Sequence, residues 1–204
     1  MASTCPVDLD TLQLRAEIQS IYRRVATEPS GDFHFHRGPT YAAEMLGYDA
    51  VALARLPADN TASFAGVANP LRIAPMTAGA TVVDIGCGAG MDLLLAAQAV
   101  GPDGRAIGVD MTEAMAERAR NGARSHGLAN VEVRLGDAMS LPVQSESVDV
   151  VISNGVLNLT PDKDRAFGEV YRTLKPGGEF LYGDIVVASE LSESIRNNID
   201  LWTG

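Results

Sequence analysis

From residue 80 onward, the chain alternates short apolar segments with longer segments of helical spacing. The short segments predict five β-strands, over residues 80–85, 106–109, 131–135, 148–152 and 179–187. The longer segments predict helices over residues 89–100, 112–126 and 162–174, with a last helix over 191–202. Thr112 is expected to cap the second of these helices, and the turn at residues 175–178 to close the third. Because strands that alternate with helices of this length pair in parallel, the pattern predicts an α/β fold with a parallel sheet and helices on both faces.

The first 75 residues follow a different pattern. Apolar residues with helical spacing predict a helix over residues 8–27, with Asp8 or Asp10 as its N-cap. The remaining predicted elements are one or two short helices over 41–55 interrupted at Gly47, a looser stretch over 57–66 and a short helix over 70–75. We therefore predict an N-terminal helical cap over residues 1–75 and an α/β core over residues 76–204.

The motif that says most about function joins the first predicted strand to its helix. Asp84 ends the strand, and a tight turn with Gly86, Gly88 and Gly90 follows, where a glycine backbone can approach a ligand closely. Ligands of open α/β sheets bind outside the carboxyl ends of the strands. Dinucleotide-binding enzymes also carry a glycine turn there, but they hold a pyrophosphate on it, which Asp84 would repel. A carboxylate at this position suits instead the ammonium group of an amino-acid moiety.

Three neighbouring positions extend this candidate site. Cys87 lies within the turn, as either a nucleophile or a small residue packed beneath a ligand, and the lack of a histidine near it in sequence favours packing. The second strand ends at Asp110, whose carboxylate can accept hydrogen bonds from both hydroxyl groups of a ribose. Met111 beside it can provide apolar, polarisable contact to an adenine ring.

This order of motifs resembles that of class I S-adenosylmethionine-dependent methyltransferases. The resemblance implies a Rossmann-like class I fold, with S-adenosylmethionine as the cofactor of the core over residues 76–204. It also implies that Asp137 and Ala138, after the third strand, read the adenine amino group, and that Asn154 flanks the methionine end. The expected cofactor-binding residues are Asp84, Gly86, Cys87, Gly88, Gly90, Asp110, Met111, Asp137, Ala138 and Asn154. No catalytic residue is assigned.

Within this class the sequence is similar to arsenite methyltransferases, over roughly residues 46–204. The similar stretches are 66–70, 108–112, 153–163 and Leu201-Trp202. Arsenite methyltransferases bind trivalent arsenic through cysteine thiolates, which are soft ligands, and the resemblance would place two of them where this chain has Val67 and Gly155. A third would follow shortly after Trp202. Cys5 would replace them only if the N-terminus folded over the site, so we expect no arsenic-binding thiol.

Charge and cysteine content narrow the choice of partners. The net charge of −10 and the pI near 4.7 disfavour a nucleic-acid substrate, which leaves a small-molecule methyl acceptor. The longest apolar runs, such as residues 93–100, are far shorter than the roughly 20 residues that span a bilayer, so we expect no membrane partner. Cys5 and Cys87 form no disulfide framework, which fits the cytoplasm. The sequence does not fix the oligomeric state, and a homodimer is one possibility.

A segment of alternating aromatic and imidazole side chains lies between the first two predicted helical regions. On a strand, His34 and His36 would share a face and could bind a metal ion with a third ligand. We favour the alternative, a lid segment that packs near the cofactor, and expect no metal site. Tyr41, shortly after it, would either contact the methionine end of the cofactor or face the core.

Three functions are compatible with these features. The main hypothesis is an enzyme that methylates a small molecule and is arsenite methyltransferase-like but lacks the thiol ligands. The alternative is a non-catalytic or truncated cofactor-binding domain, because class I domains usually end with a β-hairpin that completes a seven-stranded sheet. We expect that hairpin to be missing and Gly204 not to be the natural end of the folded domain. Asp84 disfavours the third function, a nicotinamide-dependent oxidoreductase.

Overall fold

The computed structural model describes residues 10–186 of the chain. Its central sheet has the strands β1 (Thr81–Ile85), β2 (Arg105–Asp110), β3 (Val131–Leu135), β4 (Val148–Asn154) and β5 (Leu174–Gly183). All neighbouring strands pair in parallel, in the order β3-β2-β1-β4-β5. The chain therefore builds the sheet outward from β1 in both directions. The gap between the ends of β1 and β4 is the switch point at which open α/β sheets bind ligands.

Seven helices lie in the described part of the chain. They are α1 (Thr11–Thr27), α2 (Gly38–Leu46), α3 (Ala50–Arg55), α4 (Ala58–Ala62), α5 (Met91–Val100), α6 (Glu113–Ser125) and α7 (Lys163–Thr173). Short 3-10 turns occur at Pro70–Arg72 and Leu157–Leu159. Among residues 10–186 we find no helix with the length and apolar character needed to cross a bilayer.

Helices cover both faces of the sheet, which confirms the predicted fold class. Neighbouring residues of a strand point to opposite faces, and Val82 and Val83 of β1 are both completely buried. Val82 packs in a cluster with Ala96 of α5, whereas Val83 packs in another with Val170 of α7. Burial of apolar surface on each side contributes about 20 to 33 cal/mol per Å² and stabilises this three-layer arrangement.

All four described N-terminal helices pack against the core: α1 and α4 contact α6, and α2 and α3 share an apolar cluster with α5. Asp10 caps α1, since its side chain accepts hydrogen bonds from the backbone of Leu12 and Gln13. The predicted interruption at Gly47 is confirmed: this residue has a φ of 72° and separates α2 from α3. The stretch 57–66 was expected to be loose, and that expectation is wrong, because α4 forms there. Its five residues are too short to show a helical period, and Asn60 anchors it by donating to the backbone carbonyls of Ala89 and Arg118.

The other differences concern where elements begin and end. Thr112 is the N-cap residue of α6, as predicted, but its side chain makes no capping bond; its backbone N–H donates to Asp110 at 2.8 Å. The turn predicted at residues 175–178 belongs to β5, where Lys175 pairs with Asp149 of β4 at 2.8 Å and the register shifts. The strand ends at Gly183 rather than at residue 187. The helix predicted over 191–202 lies outside the described residues, as does the C-terminal end of the chain.

Candidate functional site

A cavity of about 230 Å³ lies at the carboxyl ends of β1, β2 and β4. Its floor is the glycine turn after β1, and α1 forms much of its opposite wall. Nine of the ten expected cofactor-binding residues line it directly: Asp84, Gly86, Cys87, Gly88, Asp110, Met111, Asp137, Ala138 and Asn154. Gly90, the tenth, lies behind the turn, where its φ of 93° and its close approach to α6 allow no side chain. A Cβ atom there would come within 2.9 Å of the Cβ of Ala119.

The glycine turn is held against the end of β2. The backbone N–H groups of Gly86 and Cys87 both donate to the carbonyl oxygen of Val109, at 2.7 and 3.1 Å. Gly88 donates to Asp110 at 2.8 Å. Cys87 is only 6 % exposed and packs among apolar side chains of α5 and α6. Burial raises the pKa of its thiol, followed by the charges of Asp110 and Asp84, so the group stays neutral and is a poor nucleophile.

Asp84 is the most unusual group in the cavity. It is 3 % exposed, and its Oδ2 has no hydrogen-bond partner among residues 10–186. Burial raises the pKa of Asp84 well above the usual value, and the charges of Asp92 and Asp110 raise it further. A hydrogen bond from the backbone of Leu93 partly lowers this pKa. A buried, unpaired carboxylate is costly unless a cation or donor satisfies it. The Asp84 carboxylate therefore fits a ligand that brings an ammonium group to the end of β1.

Asp92 is a second buried acid beside Asp84, and sequence reasoning missed it. It lies in the first turn of α5, where an acid is usually explained by the positive end of the helix dipole. Its oxygens accept from the hydroxyl of Tyr48 at 2.6 Å and from Nδ2 of Asn154 at 3.0 Å. Burial raises the pKa of Asp92 to about 6, and these two hydrogen bonds limit the increase. In the sequence, only the position of Asp92 two residues after the last glycine of the turn could have suggested that it belongs to the site.

Asp110 is oriented by backbone donors on both of its oxygens. Oδ2 accepts from Gly88 at 2.8 Å and Oδ1 from Thr112 at 2.8 Å. Burial raises its pKa, while these bonds lower it. Because each carboxylate oxygen has two lone pairs, Asp110 can still accept from a ligand in the cavity that it lines.

The wall opposite the strand ends belongs to α1. Arg15 pairs with Asp137 at 2.6 Å, and Gln19 donates to the carbonyl oxygen of Met111 at 3.0 Å. Leu14 and Ile18 belong to one apolar cluster, and the partly buried side chain of Met111 packs against it. The apolar period of this helix was apparent in the sequence, but nothing there indicated that this face would close a cavity.

The imidazole segment does not line the cavity, although Phe33 and Phe35 pack against Ala89 and Met115, which do. His34 meets Phe35 edge to face, and His36 stacks on Tyr41 with ring centroids 5.2 Å apart. None of these side chains lines the cavity, so of the two alternatives for Tyr41 the structure gives no support to contact with the methionine end. No cluster of His, Cys, Asp and Glu in the described part of the chain could hold a metal ion.

The two positions at which arsenite methyltransferases would carry cysteines are in contact. A Cβ atom on Gly155 would lie 3.4 Å from Cγ1 of Val67. Gly155 also lines the cavity, with a φ of 70°. Two sequence stretches far apart therefore meet at one edge of the cavity, and this edge carries no thiol. Cys5 lies outside the described residues.

Comparison with known proteins gives the same picture. Residues 76–203 match the model of a family described as a methyltransferase domain. The arsenite methyltransferase of Halobacterium salinarum is 41 % identical over 98 % of this chain and 54 % of its own length, and that of Mus musculus is 30 % identical over 95 % and 53 %. The crystal structure of an arsenic(III) S-adenosylmethionine methyltransferase from Chlamydomonas reinhardtii superimposes with a TM-score of 0.66 at 39 % identity, over 71 % of this chain and 51 % of that one.

The chain thus spans about half the length of the curated relatives it matches. The family match covers more than half of the chain and includes all five strands and the glycine turn. The chain therefore belongs to the methyltransferase-domain family, as a class I, S-adenosylmethionine-dependent member of the arsenite methyltransferase-like group.

Proposed function

We propose that the chain forms the cofactor-binding part of an enzyme that transfers the methyl group of S-adenosylmethionine to a small molecule. The unpaired, buried Oδ2 of Asp84 beside the glycine turn carries this proposal, because it needs a cation and the cofactor brings an ammonium group. A pyrophosphate would be repelled by Asp84, Asp92 and Asp110, so a nicotinamide dinucleotide fits the site poorly.

In this proposal each expected residue has a distinct part in cofactor binding. Asp84 accepts from the ammonium group, and Asp110 accepts from the two ribose hydroxyls. Met111 and Ala138 contact the adenine, and Asp137 reads its amino group. Asn154 lies at the methionine end, and the turn with Gly86, Cys87, Gly88 and Gly90 lets the backbone approach the ligand.

The sulfonium of the bound cofactor supplies an activated methyl group, so the protein mainly has to position the acceptor and exclude water. The wall formed by α1 performs the second task. Of the residues that line the cavity in the described part of the chain, Arg15 alone is basic, and it is paired with Asp137. We propose that the acceptor is neutral or cationic, since an anion would meet uncompensated acids.

Several finer statements stay predictions. These are the division into a cap over residues 1–75 and a core over residues 76–204, the cytoplasmic location, the exclusion of nucleic acid and the homodimer.

The proposal is tested by calorimetric titration of the protein with S-adenosylhomocysteine and, in parallel, with NAD. Binding of the first and not of the second supports it, whereas the reverse would point to an oxidoreductase. A turnover assay with the methyl donor then separates an enzyme from a domain that only binds the cofactor.

We expect Asp110→Ala to weaken S-adenosylhomocysteine binding by about 1.5–3 kcal/mol, because a charged acceptor is removed from two hydroxyl groups. The measurement is the same titration, with the melting temperature as a control for the lost bonds to Gly88 and Thr112. A titration curve identical to that of the unsubstituted protein would refute the role assigned to Asp110.

A further inference from the structure

Asn154 uses its whole side-chain amide for contacts within the protein. Its Oδ1 accepts from the backbone N–H groups of Val67 and Ala68, at 2.8 and 3.0 Å. Its Nδ2 donates to the carbonyl oxygen of Ala68 at 2.8 Å and to Oδ2 of Asp92 at 3.0 Å. One side chain therefore holds both a loop backbone and a buried acid of the cavity.

Tyr48 touches the same two groups from the N-terminal part of the chain. Its hydroxyl donates to Oδ1 of Asp92 at 2.6 Å, and it also lies 3.1 Å from the carbonyl oxygen of Ala68. Nδ2 of Asn154 lies 3.2 Å from this hydroxyl, so the three side chains form one network. A network of this kind is strong in a buried site, and the removal of one member affects the others.

The loop that this network holds is the acceptor loop, which we define as residues 66–69. It lies close to the sheet because glycines stand at both contacts: a Cβ atom on Gly66 of the loop would overlap the amide of Asn154, and one on Gly183 of β5 would overlap Ala68. Val67 of this loop contacts Gly155 at the edge of the cavity. The acceptor loop thus borders the methionine end of the site.

We propose that Asn154 and Tyr48 are positioning residues that couple cofactor binding to the order of the acceptor loop, by keeping Asp92 charged beside Asp84 and holding the backbone of Val67 and Ala68 through the same contacts. The inference rests on the proposed function, because it takes the cation at Asp84 to be the ammonium group of the cofactor. Neither residue reacts, and both act through Asp92 and the loop.

The coupling has an electrostatic signature. The groups that face Asp92 are Asp84 from β1, Tyr48 from the segment after α2 and Asn154 from β4, with Asp110 beyond Asp84. The two acids are expected to release their protons in two steps, the lower of them near pH 6. Affinity for a cation should fall as pH falls through these steps. Removal of a donor to Asp92 raises its pKa further, which moves the lower step to higher pH.

The experiment measures the affinity for S-adenosylhomocysteine by calorimetry between pH 5 and 9. We expect Tyr48→Phe to move the lower step upward by about one pH unit, with affinity recovered at high pH, since a hydrogen bond to a charged group is lost. Tyr171→Phe, the same change at an exposed tyrosine, is the matched control and should leave the profile unchanged. Asp92→Asn should remove one of the two steps.

A second variant separates the two contacts of Asn154. In Asn154→Asp the carboxylate can still accept from Val67 and Ala68, but it cannot donate to Asp92. The pH profile should therefore move further than in Tyr48→Phe. Amide hydrogen exchange of Val67 and Ala68 gives the other readout: it should slow when S-adenosylhomocysteine binds, and slow less in Tyr48→Phe.

The outcomes are distinct. If Tyr48→Phe weakens binding equally at every pH, its role is only structural and the inference is wrong. Exchange at Val67 and Ala68 that does not respond to S-adenosylhomocysteine would also overturn it. If Asn154→Asp does not fold, Tyr48→Phe and Asp92→Asn decide the question alone. Failure of the unsubstituted protein to bind S-adenosylhomocysteine at any pH would instead refute the proposed function.

Discussion

Asp84→Asn is expected to weaken S-adenosylhomocysteine binding more than a hundredfold. Removing one partner of a buried ion pair costs about 3–5 kcal/mol, and Oδ2 of Asp84 has no hydrogen-bond partner among residues 10–186. The loss should appear in calorimetry at pH 7.5 as a curve that no longer saturates. Asp103→Asn, in an exposed turn at the other end of the sheet, is the matched control and should bind normally.

The same substitution should affect stability in the opposite direction. The pKa of Asp84 is raised in the folded protein, so its contribution to stability is fully present at low pH and is lost as pH rises through that value. An uncharged amide avoids this loss. Without ligand, the melting temperature of Asp84→Asn should therefore exceed that of the unsubstituted protein, and the difference should grow with pH. A melting temperature that falls at every pH would show that Asp84 is a structural acid.

The second large effect concerns arsenic. We expect no methylarsenicals above background when the protein is incubated with arsenite, S-adenosylmethionine and glutathione, because Val67 and Gly155 stand where two thiols would be needed. Product that disappears in a Cys5→Ser variant would contradict this expectation and would mean that the N-terminus supplies a ligand.

Two cysteines at these positions should create a dithiol site. The distance of 3.4 Å between a Cβ on Gly155 and Cγ1 of Val67 places the two new thiols side by side. We expect Val67→Cys combined with Gly155→Cys to bind phenylarsine oxide about a hundredfold more tightly than either single variant, because the second thiol binds intramolecularly. Mass spectrometry and competition with a small dithiol give the affinity.

The left-handed backbone at Gly155 makes a further control necessary. A φ of 70° costs a residue with a Cβ atom about 1–2 kcal/mol, so the double variant should melt at a lower temperature. Gly155→Ala measures this strain without a thiol. Equal affinity of the single and double variants in folded protein would show that the two positions do not converge as the structure has them.

The fold was predictable because its signals are local. Each strand is a short apolar run, and each connection is a helix whose length allows parallel pairing, so the layers followed without knowledge of any contact. The errors came where a tertiary contact decides the structure. α4 forms because the buried side chain of Asn60 binds α6 and the glycine turn, and no period in five residues can show this.

The candidate site was predictable to the extent that it lies at strand ends. The end of a strand in a parallel sheet has a known position, which brought Asp84, Asp110 and Asp137 to one edge. Arg15 lies on α1 and Tyr48 in the segment between α2 and α3, and no sequence pattern specifies where these parts dock, so their contacts with Asp137 and Asp92 could not be anticipated. Such long-range partners change the environment of an acid, and the residues next to that acid in sequence do not indicate them.

The position of α1 has a consequence for the rate of turnover. Leu14, Ile18 and Arg15 line the cavity and hold this helix against the strand ends, so we expect their separation to open a path for a bound ligand. Opening of a peripheral helix requires far less free energy than unfolding of the sheet, and such motions take microseconds to milliseconds or longer. In the proposed reaction, the spent cofactor would have to wait for this opening once the methyl group has been transferred. We therefore expect product release rather than chemistry to limit the steady-state rate.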